Sequence, residues 1–403
     1  MSYDENLSKA VECSHKGNHE EAIGYYLAAI NCRWFCKDAL QGLAGSLTWL
    51  GRFKEALQVQ IRFAACFPEE IFDFFVLKTR IKNAIVKNKD GDLLDYTIKS
   101  LKVIQRLIKY NFYATDFLSE MLLLSGNYRD ACRNKYSATI CNAAFSKKSG
   151  LERFNNKYGK LPDFFIIGPQ KTATTALYSF LTRSSDVYPS INKELFFFNG
   201  PSYESGAEWY KCHFPRGGVG TRVVTGEATA TYFNSPVVPE RMYKLVPEAK
   251  LIFTFRNPVK RALSSFFMER RQGRETRGLW ETIKSEVDFL KISEIFPGVH
   301  PKGYFENGHR GYVLYGFYGH YLSNYRKFYS QDKIKIVTSE DLYDPAPVVK
   351  EICEFLNVTP PNLETTEKSI NVGGYEQDSE YKEVSDLLSD FYNSFRDYVE
   401  YKL

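Results

Sequence analysis

The chain has 403 residues, room for two or three domains, and the composition of a soluble globular protein rich in aromatics. Its 53 basic and 48 acidic residues leave a net charge of +5, a mild bias that suits anionic ligands without the strongly basic character of a nucleic-acid binder. No apolar run approaches the ~20 residues of a membrane helix, and the polar start "MSYDENLSKA" is not a signal peptide. The expected setting is cytoplasmic, unless a targeting segment has been removed.

Residues 1–150 show helical periodicity and few strand-like runs. "KGNHEEAIGYYLAAI" (16–30) aligns with "LGRFKEALQVQIRFA" (50–64), so that Gly17 pairs with Gly51 and Ala22 with Ala56. A third echo, "SGNYRDACRNKYSATI" (125–140), carries Gly126 and Ala131 at the same internal spacing, out of phase with the first two. Helix pairs of this period resemble tetratricopeptide repeats, in which small residues let the paired helices approach closely. A non-repeating helical bundle is the alternative. Six of the eight cysteines fall here, and Cys32 and Cys36 are expected to share a helical face. With no CxxC pair, reduced core cysteines are expected. The polar, basic stretch 144–163, with two glycines, reads as a linker to a second domain over 151–403.

From 163 onward the texture alternates. Apolar runs at "FFII" (164–167), "RVVTGEAT" (222–229), "KLIFTF" (250–255) and "KIKIVTS" (333–339) predict strands. Helical patterns at 174–182, 235–247, 257–272, 316–329, 346–357 and 380–399 separate them. The alternation predicts an α/β fold, a parallel sheet with helices on both faces, with ligands at the carboxyl ends of the strands.

The first chemical signal is "FFIIGPQKTATTALYSFL" (164–181). A strand-to-helix turn with a glycine presents unpaired N–H groups and the positive end of a helix dipole. Lys171 adds a charge, and Thr172, Thr174 and Thr175 add hydroxyls. A Walker A loop needs four residues between its glycines and Gly-Lys before the hydroxyl. Here only Pro169 and Gln170 separate Gly168 from Lys171. The second signal is "FRNPVKRALSSFFMERR" (255–271). Arg256 ends a strand where a nucleotide kinase needs a magnesium-holding acid, Pro258 suits the first helical turn, and Ser264 lies two turns on. Together these give two anion subsites in one crevice and no metal ligand. The six histidines form no ligand cluster, and His213 is either a base or a structural residue.

"LPDFFIIGPQKTATTALYSFL" resembles the 5'-phosphosulfate loop of sulfotransferases that use 3'-phosphoadenosine 5'-phosphosulfate (PAPS), and "RNPVKRALS" resembles their 3'-phosphate motif. The likeness is nearest to the sulfotransferase domain of the heparan sulfate N-deacetylase/N-sulfotransferases and extends to "KELFFFNG" (193–200) and "EATATYF" (227–233). It implies the P-loop-like sulfotransferase fold, PAPS as co-substrate and no metal. It also implies that Gly168, Gln170, Lys171, Thr172, Ala173, Thr174 and Thr175 cradle the 5'-phosphosulfate, that Arg256 and Ser264 hold the 3'-phosphate, and that Glu194 is the general base. The implied acceptor is a carbohydrate hydroxyl or amine, with a small metabolite as the alternative. Ala228 stands where heparan-type enzymes carry a lysine, and "SINVGGYEQDSEY" (369–381), with Gly373 and Gly374, replaces a Lys-Gly-Arg loop and a nearby cysteine pair. Arg270, Arg271, Arg274 and Arg277 either line an anionic acceptor cleft or form a solvated basic face. Two rival readings stand beside this one: a metal-dependent nucleotide kinase, and a scaffold whose helical repeats bind a partner protein beside a vestigial nucleotide domain.

Overall fold

The computed structural model describes residues 1–70, 74–108, 112–146, 150–151, 154–155, 159–292, 304–363 and 378–401. Gly373, Gly374 and parts of the 144–163 stretch lie outside them. The chain divides into two compact units, Met1–Gly159 and Lys160–Leu403.

The first unit is helical among its described residues. Its helices are α1 (Tyr3–His15), α2 (His19–Cys32), α3 (Lys37–Trp49), α4 (Phe53–Cys66), α5 (Phe75–Asn88), α6 (Gly91–Leu107), α7 (Phe112–Leu124) and α8 (Tyr128–Ser146). The turns α1–α2, α3–α4 and α7–α8 each pivot on a left-handed glycine, Gly17, Gly51 and Gly126 (φ 82°, 77° and 80°). Each closes with the same long backbone bond: Asn18 to Cys13, Arg52 to Leu47 and Asn127 to Leu122, all 2.9 Å. This is the glycine-terminated helix end in which left-handed backbone satisfies orphan carbonyls. The α5–α6 turn makes the equivalent bond, Asp90 to Ile85, but Lys89 takes the left-handed position. Ala22, Ala56 and Ala131 are fully buried. Cys32 ends α2 and Cys36 precedes α3, so the expectation that they share a helical face is corrected. All eight cysteines are free thiols.

The second unit holds five parallel strands in the order β2-β3-β1-β4-β5: β1 (Phe164–Ile167), β2 (Val187–Pro189), β3 (Val224–Ala228), β4 (Lys250–Phe255) and β5 (Ile334–Thr338). Its helices are α9 (Thr174–Leu181), α10 (Gly206–Lys211), α11 (Val238–Leu245), α12 (Pro258–Arg271), α13 (Leu279–Ile292), α14 (Tyr318–Arg326), α15 (Pro345–Leu356), α16 (Ser379–Ser394) and α17 (Arg396–Val399). Alternate strand residues serve opposite faces. Phe164, Ile166 and Ile252 pack with Leu177 and Leu181 of α9 and Val349 and Ile352 of α15. On the other face Phe165 meets Phe198, and Phe253 meets Tyr325 of α14. The central strand β1 is therefore buried throughout, and the loops leaving β1, β3 and β4 emerge side by side at one end of the sheet. The predicted strands at 164–167 and 250–255 coincide with β1 and β4.

Candidate active site

The loop from β1 to α9 is built around one close approach. A Cβ on Gly168 would lie 2.4 Å from both the carbonyl oxygen and the hydroxyl of Thr254, so only glycine lets β1 leave the sheet this close to β4. Thr172 fastens the loop from inside: its hydroxyl donates to the Pro169 carbonyl (2.8 Å) and pairs with the Thr254 hydroxyl (2.9 Å). Its one proton is thereby committed, and what Thr172 retains for a ligand is its backbone N–H. Thr174 is buried and Thr175 exposed, and neither hydroxyl is engaged among the described residues.

Two residues of the loop, Lys171 and Ala173, hold φ of 77° and 70°. For residues with a Cβ this left-handed backbone costs roughly 1–2 kcal/mol each. Left-handed backbone in a turn makes a concave nest of N–H groups that suits anions. No side chain caps α9 at Ala173, so the helix's first N–H groups are not met by a side-chain acceptor. Strain of this kind persists where the surroundings over-determine it, and it gathers at ligand sites.

Three cations meet at this loop. Burial, then Arg271 and Arg256, lower the Lys171 pKa. Arg256, just beyond β4, donates to the Lys171 carbonyl across 3.5 Å, and its Nε is buried without a partner. Arg271 closes α12, seven residues after Ser264 and so on much the same helical face. Among the described residues no carboxylate pairs with Lys171, Arg256 or Arg271. Ser264 is 8% exposed, with its hydroxyl unengaged among those residues. Asn257 caps α12 by accepting from the Lys260 N–H (3.1 Å), and Pro258 opens the helix.

The other arginines of that stretch are committed locally. Arg274 grips Glu269 in a bidentate pair (2.7 and 2.6 Å), and Arg277 grips Glu275 likewise (3.0 and 2.8 Å). Arg277's hydrogen bonds hold the Glu275 pKa down to about 2. Arg270 donates to the backbone carbonyl of Thr276 (3.1 Å). Beside the loop lies a cavity of about 610 Å³ whose lining includes Gln170, Thr231, Asn234, Glu269, Arg310 and Tyr315.

Glu194 lies against the carboxyl end of β3. One of its oxygens contacts the Lys193 ammonium, and the other accepts the Ala230 N–H at 3.0 Å. Its own N–H donates to the Ala228 carbonyl (3.1 Å). The side chain is 27% exposed, so a solvent-borne molecule can reach the carboxylate. Ala228 is fully buried. His213 is occupied structurally: Nδ1 faces the carbonyls of Trp209 and Tyr210 at 3.0 and 3.2 Å.

Sequence reasoning did not single out Arg271 from its neighbours, although its spacing from Ser264 was a usable sign. It also passed over Glu227, a fully buried carboxyl on β3 that carries no periodic signature.

An open parallel sheet whose carboxyl edge carries a strained glycine turn lined by Lys171, Arg256 and Arg271 has the form of a site for phosphate- or sulfate-bearing ligands. The particular family follows from comparison. The sulfotransferase domain family matches residues 161–374, just over half the chain, and the chain belongs to that family. It is 33% identical over 207 residues to the bifunctional heparan sulfate N-deacetylase/N-sulfotransferase 2 of Bos taurus, covering 50% of this chain and 22% of the relative. To the Drosophila melanogaster bifunctional heparan sulfate N-deacetylase/N-sulfotransferase it is 30% identical over 217 residues, covering 50% and 20%. The match thus spans about a fifth of the length of these curated relatives. Among solved structures, a sulfotransferase from Alicyclobacillus acidocaldarius aligns over 60% of this chain and 98% of its own, at 24% identity and a TM-score of 0.44.

Proposed function

We propose that this chain transfers a sulfuryl group from PAPS to a hydroxyl or amine acceptor, with a carbohydrate as the acceptor class. The observation that carries the reading is the convergence of Lys171, Arg256 and Arg271 on one strained loop with no carboxylate partner among the described residues. Unpaired, partly buried cations are unfavourable in isolation. An anion at that place removes the penalty, and the orphaned Arg256 Nε gains an acceptor.

Each residue then has a task. The Gly168–Thr175 loop holds the 5'-phosphosulfate through its backbone N–H groups, Lys171, and the Thr174 and Thr175 hydroxyls, with Gln170 at its rim. Arg256 and Ser264 hold the 3'-phosphate. PAPS, when bound, supplies a sulfuryl group on a good leaving phosphate. Glu194 takes the acceptor's proton as the acceptor oxygen or nitrogen bonds to sulfur. The sulfur–oxygen bond to the phosphate breaks, and Lys171 stabilises the electron pair left on that oxygen. The Lys193 ammonium occupies one of the two Glu194 oxygens, so that contact must loosen for the acceptor to reach that oxygen. No task here requires a metal.

A small, uncharged metabolite is the second acceptor reading, favoured by the buried Ala228 where heparan-type enzymes carry a lysine. The helix pairs of the first unit are read as tetratricopeptide-like, a surface for a partner protein. Among the described residues no helix is long and apolar enough to cross a membrane.

Two measurements test the reading. Calorimetric titration with 3'-phosphoadenosine 5'-phosphate (PAP) in the presence of a chelator should show saturable binding. Transfer of labelled sulfate from PAPS across sugar, phenol and amine acceptors should then identify the acceptor class. Absence of PAP binding, or binding that requires magnesium, overturns the proposal.

A further inference from the structure

The segment that carries Glu194 is strained, and the restraint comes from a group the reaction does not use. Glu194 and Phe196 both occupy the left-handed region, at φ of 61° and 53°. A residue with a Cβ stays there only when its neighbours hold it. The hold is a row of hydrogen bonds from its backbone N–H groups to hydroxyls of the turn after β3. The Leu195 N–H donates to the Thr229 hydroxyl (3.1 Å), and the Phe197 and Phe198 N–H groups donate to the Tyr232 hydroxyl (2.8 and 3.3 Å).

A hydroxyl that accepts in this way must point its own proton elsewhere. Both point to one place. Thr229 donates to Glu227 Oε1 at 2.6 Å, the Tyr232 hydroxyl bonds the same carboxyl, and the Tyr210 hydroxyl donates to Oε2. Tyr210 in turn stacks on Phe197, with ring centroids 4.1 Å apart. Glu227 is 0% exposed and makes no ion pair among the described residues. The groups facing it are Tyr210 from α10, Thr229 and Tyr232 from the turn after β3, Glu194 from its loop, and Tyr178 from α9. An unpaired buried carboxyl is expensive to keep. Packing alone would be served better by an apolar side chain.

We infer that Glu227 is a positioning residue: its carboxyl aims the Thr229 and Tyr232 hydroxyls, their lone pairs fix the Leu195, Phe197 and Phe198 N–H groups, and the fixed segment presents the Glu194 carboxylate to the acceptor. The inference rests on the reading of Glu194 as the base. Burial supports the hub, pushing the Glu227 pKa up to about 7, with the nearby Glu194 charge acting in the same direction.

The test uses the full chain as Glu227→Gln, Glu194→Gln and the double variant. Glu227→Gln should lower kcat ten- to hundredfold, the scale of a misplaced catalytic group, with PAP affinity changed less than about twofold. The double variant should be no slower than Glu194→Gln alone, since residues acting through one another are not additive. Amide hydrogen exchange should quicken over 194–200 and stay unchanged over β1 and β4. Multiplicative losses, or unchanged exchange at 194–200, overturn the inference. If Glu194→Gln keeps normal turnover, the base reading fails on its own, and the exchange measurement still decides what Glu227 holds. Should Glu227→Gln not fold, Tyr232→Phe removes the acceptor of two of the amides and must raise exchange at Phe197 and Phe198.

Discussion

Arg256 reaches from the end of β4 to the backbone carbonyl of Lys171 on the neighbouring loop, 3.5 Å away, while its Nε is buried with no partner. The guanidinium therefore braces the loop with one nitrogen and holds another ready. Hydrogen bonds to charged groups contribute roughly 1.5–3 kcal/mol each, about a ten- to hundredfold change in affinity. Arg256→Ala should weaken PAP and PAPS by that factor. Adenosine 5'-phosphosulfate, which lacks the 3'-phosphate, should be a poor donor and lose little more on mutation. Equal weakening of both donors would assign Arg256 to the 5' end.

Lys171 gives a pH dependence with a definite sign. In the free protein, burial and the two arginines lower its pKa from the ordinary lysine value of 10.5. A bound anion favours the charged form and raises the pKa again. Binding therefore takes up a proton in the alkaline window between the two values, and PAP affinity falls as pH rises through it. Lys171→Ala should flatten that dependence and lower kcat more than affinity, because charge on the leaving phosphate peaks in the transition state. Arg271→Ala removes one of the lowering charges, so it should move the window upward in pH. Calorimetry against pH checks both variants, and an unmoved window would detach Arg271 from the site.

Gly168→Ala tests the close approach of the loop to β4. The added methyl must displace the Thr254 carbonyl or part the Thr172–Thr254 hydroxyl pair. Overpacking of this kind costs about 1–3 kcal/mol. The expected result is a lower Tm together with lost PAP binding. A variant that unfolds at the same temperature and binds normally would show that the loop has slack.

Much of this site is legible in the sequence, for physical reasons. Central parallel strands are buried on both faces, so β1 and β4 read as unbroken apolar runs. The loop composition then exposes Lys171 and Arg256 just past their ends. β2 left no such trace: Val187–Pro189 is three residues long and ends in proline, which cannot donate to a ladder. The third helix pair escaped notice because Lys89 takes the left-handed turn position that glycine marks in the others. Thr172 read as a ligand hydroxyl, but its proton goes to Pro169, a fact fixed by backbone geometry rather than residue type. Glu227 was invisible as a hub because Tyr210 and Tyr232 come from separate elements and meet only in the folded chain.

The first unit carries a buried ion cluster that makes its own prediction. Lys135, 1% exposed, contacts Asp116, which also pairs with Lys78 at 2.7 Å; Glu120 bridges Lys78 and Lys82 at 3.1 and 2.7 Å. Removing one partner of a buried pair typically costs about 3–5 kcal/mol. Asp116→Ala should sit at the low end, since Glu120 lies 3.6 Å from Lys135 and takes part of the load. Chemical denaturation should report that loss, with little dependence on salt because the cluster is screened from solvent ions. PAP affinity should not change.

The strand order has a consequence for how the protein comes into being. The pairs α1–α2, α3–α4, α5–α6 and α7–α8 each close through a tight turn, so they can form while the chain is still being made. Phe164, by contrast, cannot meet Gly226 or Lys250 until the segments between them exist, and Leu251 waits in turn for Ile334. Such distant pairings slow folding. The apolar β1 must therefore linger unpaired through most of synthesis, a natural client for chaperones. The anion cradle is among the last features to assemble. A pulse-labelled chain should acquire protease-resistant helices well before it acquires any affinity for PAP.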